Sequence, residues 1–338
     1  MSKIKNTVTA QDVATLAGVS RSAVSRTFSN NGSIADETKE KVLTAAKQLG
    51  YQVNFLAQGL NRQRSNLIGL VVAELTDPFR STLLEALLRE VQHQGYQALV
   101  TEIRDDNELD DVIRRFTQFR VSGVVVTSGQ PPIEIVEECI SSNIPVVGIN
   151  RHASIPNVDF VCSDNRHGIR LAVTHLINSG RRNIGWLNCE KSTWSGMNRG
   201  SEFEDLMVQL QRSGQIKTYN CFTTHSGGYK GGLKAAEKWI KSGPPIDALL
   251  CSTAMMACGF LDGIKQSPVK VPDDLQVIGF DNTPITSQQS YQLTTIAQDT
   301  KAIARQTLEF LKSRVGNIGI GQRIANVPVK LIIRKSAP

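Results

Sequence analysis

From residue 66 onward, short unbroken apolar runs alternate with helical stretches, and that alternation narrows the fold more than any other feature of the chain. The runs are IGLVV (68–72), QALVT (97–101), GVVVT (123–127), IPVVGIN (144–150), FVCS (160–163), NIGWLN (183–188), DALLCS (247–252) and QVIGF (276–280). An apolar run without polar alternation marks a strand buried on both faces. Helical stretches lie between the runs, at 78–94, 112–119, 133–141, up to 179, from Arg199 onward, at 233–240, and as a short helix before the last run. Strands alternating with helices imply parallel sheets covered by helices on both sides. Over about 270 residues that predicts two such lobes, with a ligand cleft at the carboxyl ends of their strands.

The first 65 residues are written differently. In TAQDVATLAGVSRSAVSRTFSN (9–30), Val13, Leu16 and Ala17 fall on one helical face, and Val24 with Phe28 repeats the spacing after Gly18. Gly18 supplies the positive φ of a tight turn. Thr9 is placed to cap the first helix, with Asp12 three residues on, and Ser20 to cap the second. A third helix follows, capped by Asp36, with Val42, Ala46 and Leu49 as its buried stripe and Gly50 as its stop. Helix, glycine turn, helix is the grammar of a DNA-reading motif whose second helix enters the major groove. Arg21, Ser22, Ser25 and Arg26 occupy the leading face of that helix. Residues 1–65 hold nine lysines and arginines against four acids, an excess of five out of the chain's +7. A charge excess gathered at one end is the footprint of a phosphate-binding head.

At these residues the chain resembles the headpiece of the LacI/GalR family of bacterial transcription regulators, and the likeness continues to the C-terminus. The resemblance implies an α/β protein: an N-terminal all-α helix-turn-helix domain, then a two-lobed, periplasmic-binding-protein-like domain with parallel sheets. The expected divisions are 1–52 for the DNA-binding head, 53–65 for a hinge helix or linker, and 66–338 for effector binding and dimerisation. Within the last, the N-subdomain takes about 66–160 and 293–320, and the C-subdomain about 161–290 and 322–338. LTTIAQ (293–298) and a final strand at 327–334 are read as the family's returning crossovers. Arg21 and Ser22 fall at the family's main base-choosing positions, Arg26 at its base-contacting arginine, and Thr9, Ser20 and Asn30 at phosphate-holding ones. Asn54, Ala57 and Leu60 match the hinge helix, with Leu60 as the minor-groove wedge. The hinge departs from the family in Val53, where proline is usual, and in Gly59, which costs a helix roughly 1 kcal/mol against alanine.

For the cleft, the resemblance carries over Phe79 (in DPF), Asn150 (in GIN), Arg199 (in RGSEF, with Glu202 where glycine is usual) and Asp281 (in VIGFDN) as effector-binding residues. An arginine fork suits hydroxyl, carboxylate or phosphate groups. In STAMMACG (252–259), Thr253 and Ala254 replace an Asn-Asp pair, which weakens the case for a heavily hydroxylated sugar. An aromatic platform is left open among Trp194, Phe222, His225 and Tyr229.

No catalytic constellation is present: no GxSxG elbow, no HExxH, no CxxC, and HSGGYKGG (225–232) lacks the spacing of a P-loop. No metal and no cofactor are expected. The six cysteines are scattered, residues 1–10 carry no apolar signal core, and no stretch reaches membrane-spanning length, which together point to a reducing cytoplasm. The expectation is therefore a cytoplasmic repressor. It binds a pseudo-palindromic double-stranded DNA operator as a homodimer, makes no membrane contact, and is controlled by a small polar effector such as a sugar or sugar derivative. The competing expectation is a cytoplasmic clamshell receptor or enzyme with no operator binding.

Overall fold

The computed structural model describes residues 8–28, 34–52, 65–104, 108–127, 133–151, 157–317 and 319–338. Contacts divide the chain into two compact units, Met1–Ser65 and Asn66–Pro338.

In the first unit, α1 (Ala10–Ala17), α2 (Arg21–Thr27) and α3 (Asp36–Leu49) surround a small core of Val13, Ala14, Val24, Val42, Ala45 and Ala46. Thr9 closes a reciprocal capping box with Asp12, and Ser20 Oγ accepts from the Ala23 amide. Gly18 ends α1 at φ 66°, a left-handed conformation that costs glycine nothing. Two local expectations are corrected. Leu16 is 46% exposed, because α1 is buried along Ala10, Val13, Ala14 and Ala17, and residue 16 lies past the edge of that stripe. Asp36 is the first helical residue of α3 rather than its cap; Ala35 holds the cap position without a side-chain bond, so Asp36 supports the helix through its charge at the positive end.

The second unit contains two six-stranded sheets. The first has the order β11-β5-β4-β3-β1-β2, built from β1 (Leu67–Val72), β2 (Gln97–Glu102), β3 (Gly123–Val126), β4 (Val146–Ile149), β5 (Asp159–Ser163) and β11 (Ile324–Val327). The second has the order β12-β10-β9-β8-β6-β7, from β6 (Asn183–Cys189), β7 (Thr218–Thr224), β8 (Ala248–Cys251), β9 (Gln276–Asp281), β10 (Thr294–Gln298) and β12 (Val329–Ile332). All pairings are parallel except β10 with β12. Helices α4 (Pro78–His93), α5 (Glu108–Gln118), α6 (Ile133–Ser141) and α11 (Thr300–Arg314) serve the first lobe. Helices α7 (Asn165–Asn178), α8 (Trp194–Arg212), α9 (Gly228–Ser242) and α10 (Ala254–Ile264) serve the second.

The chain passes between the lobes three times, at Asp164, Asp299 and Pro328, each a single residue between an element of one lobe and an element of the other. Asp164 and Asp299 cap the helices that follow them, through the amides of His167 and Ala302. This corrects the expected subdomain limits: β10 belongs to the second sheet and only α11 after it to the first lobe. The expected strand over 327–334 is in fact two strands in different sheets. Pro328 separates them, since it has no amide to donate to a ladder. Strand β7, absent from the sequence reading, forms an edge with alternating exposure. Helix α8 begins at Trp194, five residues before Arg199.

Inside the first lobe, Asp159 and Arg314 are both fully buried and paired by two hydrogen bonds of 2.6 and 2.7 Å, with Arg323 adding a third partner at 2.6 Å. This cluster fastens α11 to β5 and to the segment entering β11. In the second lobe, α9 and α10 meet backbone to backbone. A Cβ on Gly232 would lie 2.0 Å from the Met256 carbonyl oxygen, and one on Gly259 2.0 Å from that of Tyr229. Gly232 of SGGYKGG and Gly259 thus let two helices touch.

Candidate functional site

Two places concentrate exposed or cavity-facing polar groups. On the first unit, α2 presents Arg21, Ser22, Ser25 and Arg26 as exposed side chains, while Val24 anchors the helix in the core. Ser20 and Ser22 share a 2.8 Å hydroxyl contact that fixes the start of the helix. The Thr9 hydroxyl donates to Asp12 Oδ2 at 2.7 Å. Asn30, Asn54, Ala57 and Leu60, with Val53 and Gly59, lie outside the described residues.

On the second unit, a cavity of about 500 Å³ lies between the lobes, and Phe79, Asn150, Arg199, Thr253 and Asp281 all line it. Its position follows from the fold. Cys189, Ser252 and Asp281 end or follow strands of the second sheet, and Thr127 and Asn150 follow strands of the first. The first turns of α4, α8, α9 and α10 reach the same space, as expected at the carboxyl edge of parallel strands.

Arg199 sits in the second turn of α8 with only 4% of its surface exposed. Its Nε donates to Asn165 Oδ1 at 2.8 Å and its Nη1 to the Ser252 carbonyl at 2.7 Å, while the guanidinium lies 3.5 Å from the centre of the Phe280 ring. Burial pulls its pKa down and Asp281 pulls it back up. Asp281 closes β9 at φ 102°, a strained conformation for a residue with a side chain, and such strain gathers at binding sites. Its Oδ1 accepts from Arg199 Nη1 at 3.5 Å and from Gln298 Nε2 at 2.6 Å. Burial pushes its carboxyl up to about 6, against the pull of Arg199 and with the help of the nearby Asp77 charge.

The same hydrogen-bond chain runs on across the lobes. Ser163 Oγ, at the end of β5, donates to Gln298 Oε1 at 2.5 Å, and the Ser163 amide donates to Asn150 Oδ1 at 3.0 Å. Asn150 holds φ 52°. The pair Arg199–Asp281 is thereby tied to two strand ends that flank the crossovers.

Thr253 is present on the wall, but its oxygen caps α10 by accepting the Met256 amide at 3.2 Å. With Ala254 beside it, this part of the cavity offers less hydrogen bonding than an Asn-Asp pair. Phe79 lines the cavity and also packs on the first lobe's core. Of the four candidate platforms, Trp194 and the exposed His225 line the cavity, whereas Tyr229 bonds Asp262 at 2.7 Å and Phe222 packs into the second lobe's core. Glu202 is buried and held by Arg170 at 2.6 Å and Arg166 at 3.6 Å, bracing α7 against α8 beside the Arg199–Asn165 bond. Sequence reasoning missed Asp77, Arg80, Asn188 and Ser195 on the wall. The signal for Asp77 was its place before Pro78 and Phe79, where it caps α4; for Asn188 and Ser195 nothing local pointed to the cleft. Among the described residues no group of side chains is arranged to hold a metal ion, and no helix is long and apolar enough to cross a membrane.

A helical head of this kind joined to a two-lobed sensor with a polar cavity at its strand ends defines a ligand-responsive DNA-binding protein as the class. Residues 9–54 match the model of the bacterial regulatory proteins of the lacI family, and residues 173–337 match that of the periplasmic binding protein-like domain. The chain belongs to the LacI family of DNA-binding transcriptional regulators, which are not enzymes. It is 29% identical over 337 residues to the transcriptional regulator DegA of Bacillus subtilis, covering 97% of each chain. It is 26% identical to the ribose operon repressor of Halalkalibacterium halodurans, over 97% of this chain and 96% of that one. Among solved structures, the lac repressor dimer bound to operator and the anti-inducer ONPF superposes with a TM-score of 0.83 at 25% identity, over 98% of this chain and 99% of that one. A LacI family regulator from Enterococcus faecium with bound ribose shares the fold at a TM-score of 0.69 and 21% identity, over 80% of this chain and 98% of that one.

Proposed function

We propose that this regulator is a cytoplasmic repressor that binds a pseudo-palindromic operator as a homodimer and is switched by a small polar effector, a sugar or sugar derivative, held between the lobes. The observation that carries the reading is the pairing, in one chain, of an exposed α2 face bearing Arg21, Ser22, Ser25 and Arg26 with a buried Arg199–Asp281 pair on a cavity of about 500 Å³. Arg21, Ser22, Ser25 and Arg26 meet base edges, and Thr9, Ser20 and Asn30 hold phosphates. Residues 53–65 form the hinge, with Asn54, Ala57 and Leu60 at the minor groove. Arg199 donates to an effector oxygen, Asp281 accepts from a hydroxyl, Asn150 and Thr253 add polar contacts, and Phe79 closes the lip. An effector shifts the lobes only through unequal affinity for their two arrangements.

DNA retention against salt tests the reading. Neutralising Z phosphates gives a slope of about −0.9Z in log–log form, so six to ten contacts make binding collapse between roughly 50 and 200 mM salt. Genomic fragments enriched at low salt are then challenged with ribose, cellobiose and purine bases. A chain that retains no fragment at low salt, with or without these compounds, is not an operator-binding repressor.

A further inference from the structure

We infer that Trp194 is the specificity-determining side chain of the cavity: its indole is carried by the second lobe, rests on the core of the first, and walls the space between them. The inference rests on reading this cavity as the effector site. Trp194 is the first residue of α8, whose later residues Phe203 and Met207 lie in the second lobe's core, yet the indole packs against the first lobe's cluster around Phe116 and Phe160. The next side chain makes a second tie in the same direction, Ser195 Oγ donating to the Asn150 carbonyl at 3.4 Å.

The turn that presents the indole is built to stay in place. Thr193 Oγ1 accepts the Gly196 amide at 3.2 Å, and Asn188 Nδ2 donates to Ser192 Oγ at 3.0 Å and to the Gly196 carbonyl at 3.3 Å. A Cβ on residue 196 would lie 2.1 Å from Ser192 Oγ, so the serine hydroxyl takes this position only over glycine. Trp194 therefore gives the cavity one flat apolar wall, while Arg199 and Asp281 give it a hydrogen-bonding end. The ligand that fits has one flat or CH-rich face and a polar edge with both donors and acceptors. Its size is limited by how far the indole holds the lobes together.

Cys189 reads that limit without any ligand. It is half-buried on the cavity wall, Cys221 is exposed on β7, and the other four cysteines are buried. The full chain is treated with iodoacetamide and, separately, with fluorescein-5-maleimide, and each thiol is followed by peptide mass. In the unaltered chain, Cys189 takes the bulky reagent on the order of tenfold more slowly, relative to Cys221, than it takes the small one. Trp194→Ala abolishes that difference and Trp194→Phe leaves part of it. An unchanged Cys189-to-Cys221 ratio in Trp194→Ala overturns the inference. Labelling of the four buried thiols identifies an unfolded variant, in which case Trp194→Phe decides, an unchanged ratio again overturning it. Salt-dependent DNA retention on the unaltered chain separates the two failures: lost retention removes the repressor reading, whereas an unmoved thiol ratio removes only the role of Trp194.

Discussion

Replacing Asp281 by asparagine separates what the cavity needs from what the fold needs. The carboxyl is buried, and burial lifts it from its ordinary 3.8 to about 6 despite Arg199. A tenfold change in acidity corresponds to about 1.4 kcal/mol, so holding this group ionised at pH 8 costs the folded state about 3 kcal/mol. Because the folded pKa of this acid is raised, its contribution to stability is greatest below 3.8, falls as the pH rises from 3.8 to about 6, and is constant above. Asparagine keeps an oxygen for Gln298 and carries no charge to desolvate. Arg199 then retains Asn165, the Ser252 carbonyl and the Phe280 ring as partners. Urea unfolding at pH 4, 6 and 8 should show the parent losing about 2 kcal/mol across the first interval relative to Asp281→Asn, with the variant at least as stable at pH 8. Effector response should be lost in the variant, since the carboxylate oxygen not held by Gln298 becomes an amide NH2, which donates and no longer accepts from a ligand hydroxyl. A variant less stable than the parent by more than about 2 kcal/mol at pH 8 would mean that Arg199 depends on the charge, and the reasoning fails.

Asp159→Ala strands the fully buried Arg314 and should cost about 3–5 kcal/mol in urea unfolding; a loss below about 1 kcal/mol would show that the cluster is not holding α11. Burial raises the Asp159 carboxyl, but hydrogen bonds from Arg314 and Arg323 together hold it below its ordinary value. Its stabilisation is therefore complete above pH 3.8 and disappears as the pH falls through the lower folded value, a decline that acid titration of Asp159→Asn should lack. Arg21→Ala should relax base preference at one operator position by about 1–3 kcal/mol, and equal weakening on every sequence would make it a phosphate contact instead. Gly232→Ala forces α9 and α10 apart and should lower the thermal midpoint measurably, with an unchanged midpoint showing that the helices slide freely.

What could be read ahead of the structure was whatever depends on residues close in sequence. Thr9 with Asp12, Ser20 before α2, and Gly18 between the helices are local arrangements, and each formed as written. The apolar runs also formed strands, buried on both faces where valine and isoleucine are unbroken; QALVT is the exception, an edge strand with no fully buried residue, because only β1 pairs with it. Strand β7 escaped because TYNCFTT is an edge strand, half polar and without such a run. The lobe limits were misplaced because membership of a sheet is a matter of partners: nothing in LTTIAQ says that it pairs with β9 rather than returning to the first sheet. Five cavity residues were legible only through resemblance, which fixes position without saying what else a side chain does. Thr253 lines the wall and caps a helix at once.

The three single-residue passages at Asp164, Asp299 and Pro328 have a consequence for how the molecule is made. The first sheet is begun by Leu67 and finished by Val327, so neither half of the sensor is a contiguous piece of chain. A nascent protein cut anywhere before residue 324 would lack an edge of both sheets, and the ribosome must release nearly the whole chain before either half is complete. Synthesis and melting should therefore be all-or-none events for residues 66–338, with no stable intermediate in which one half stands alone.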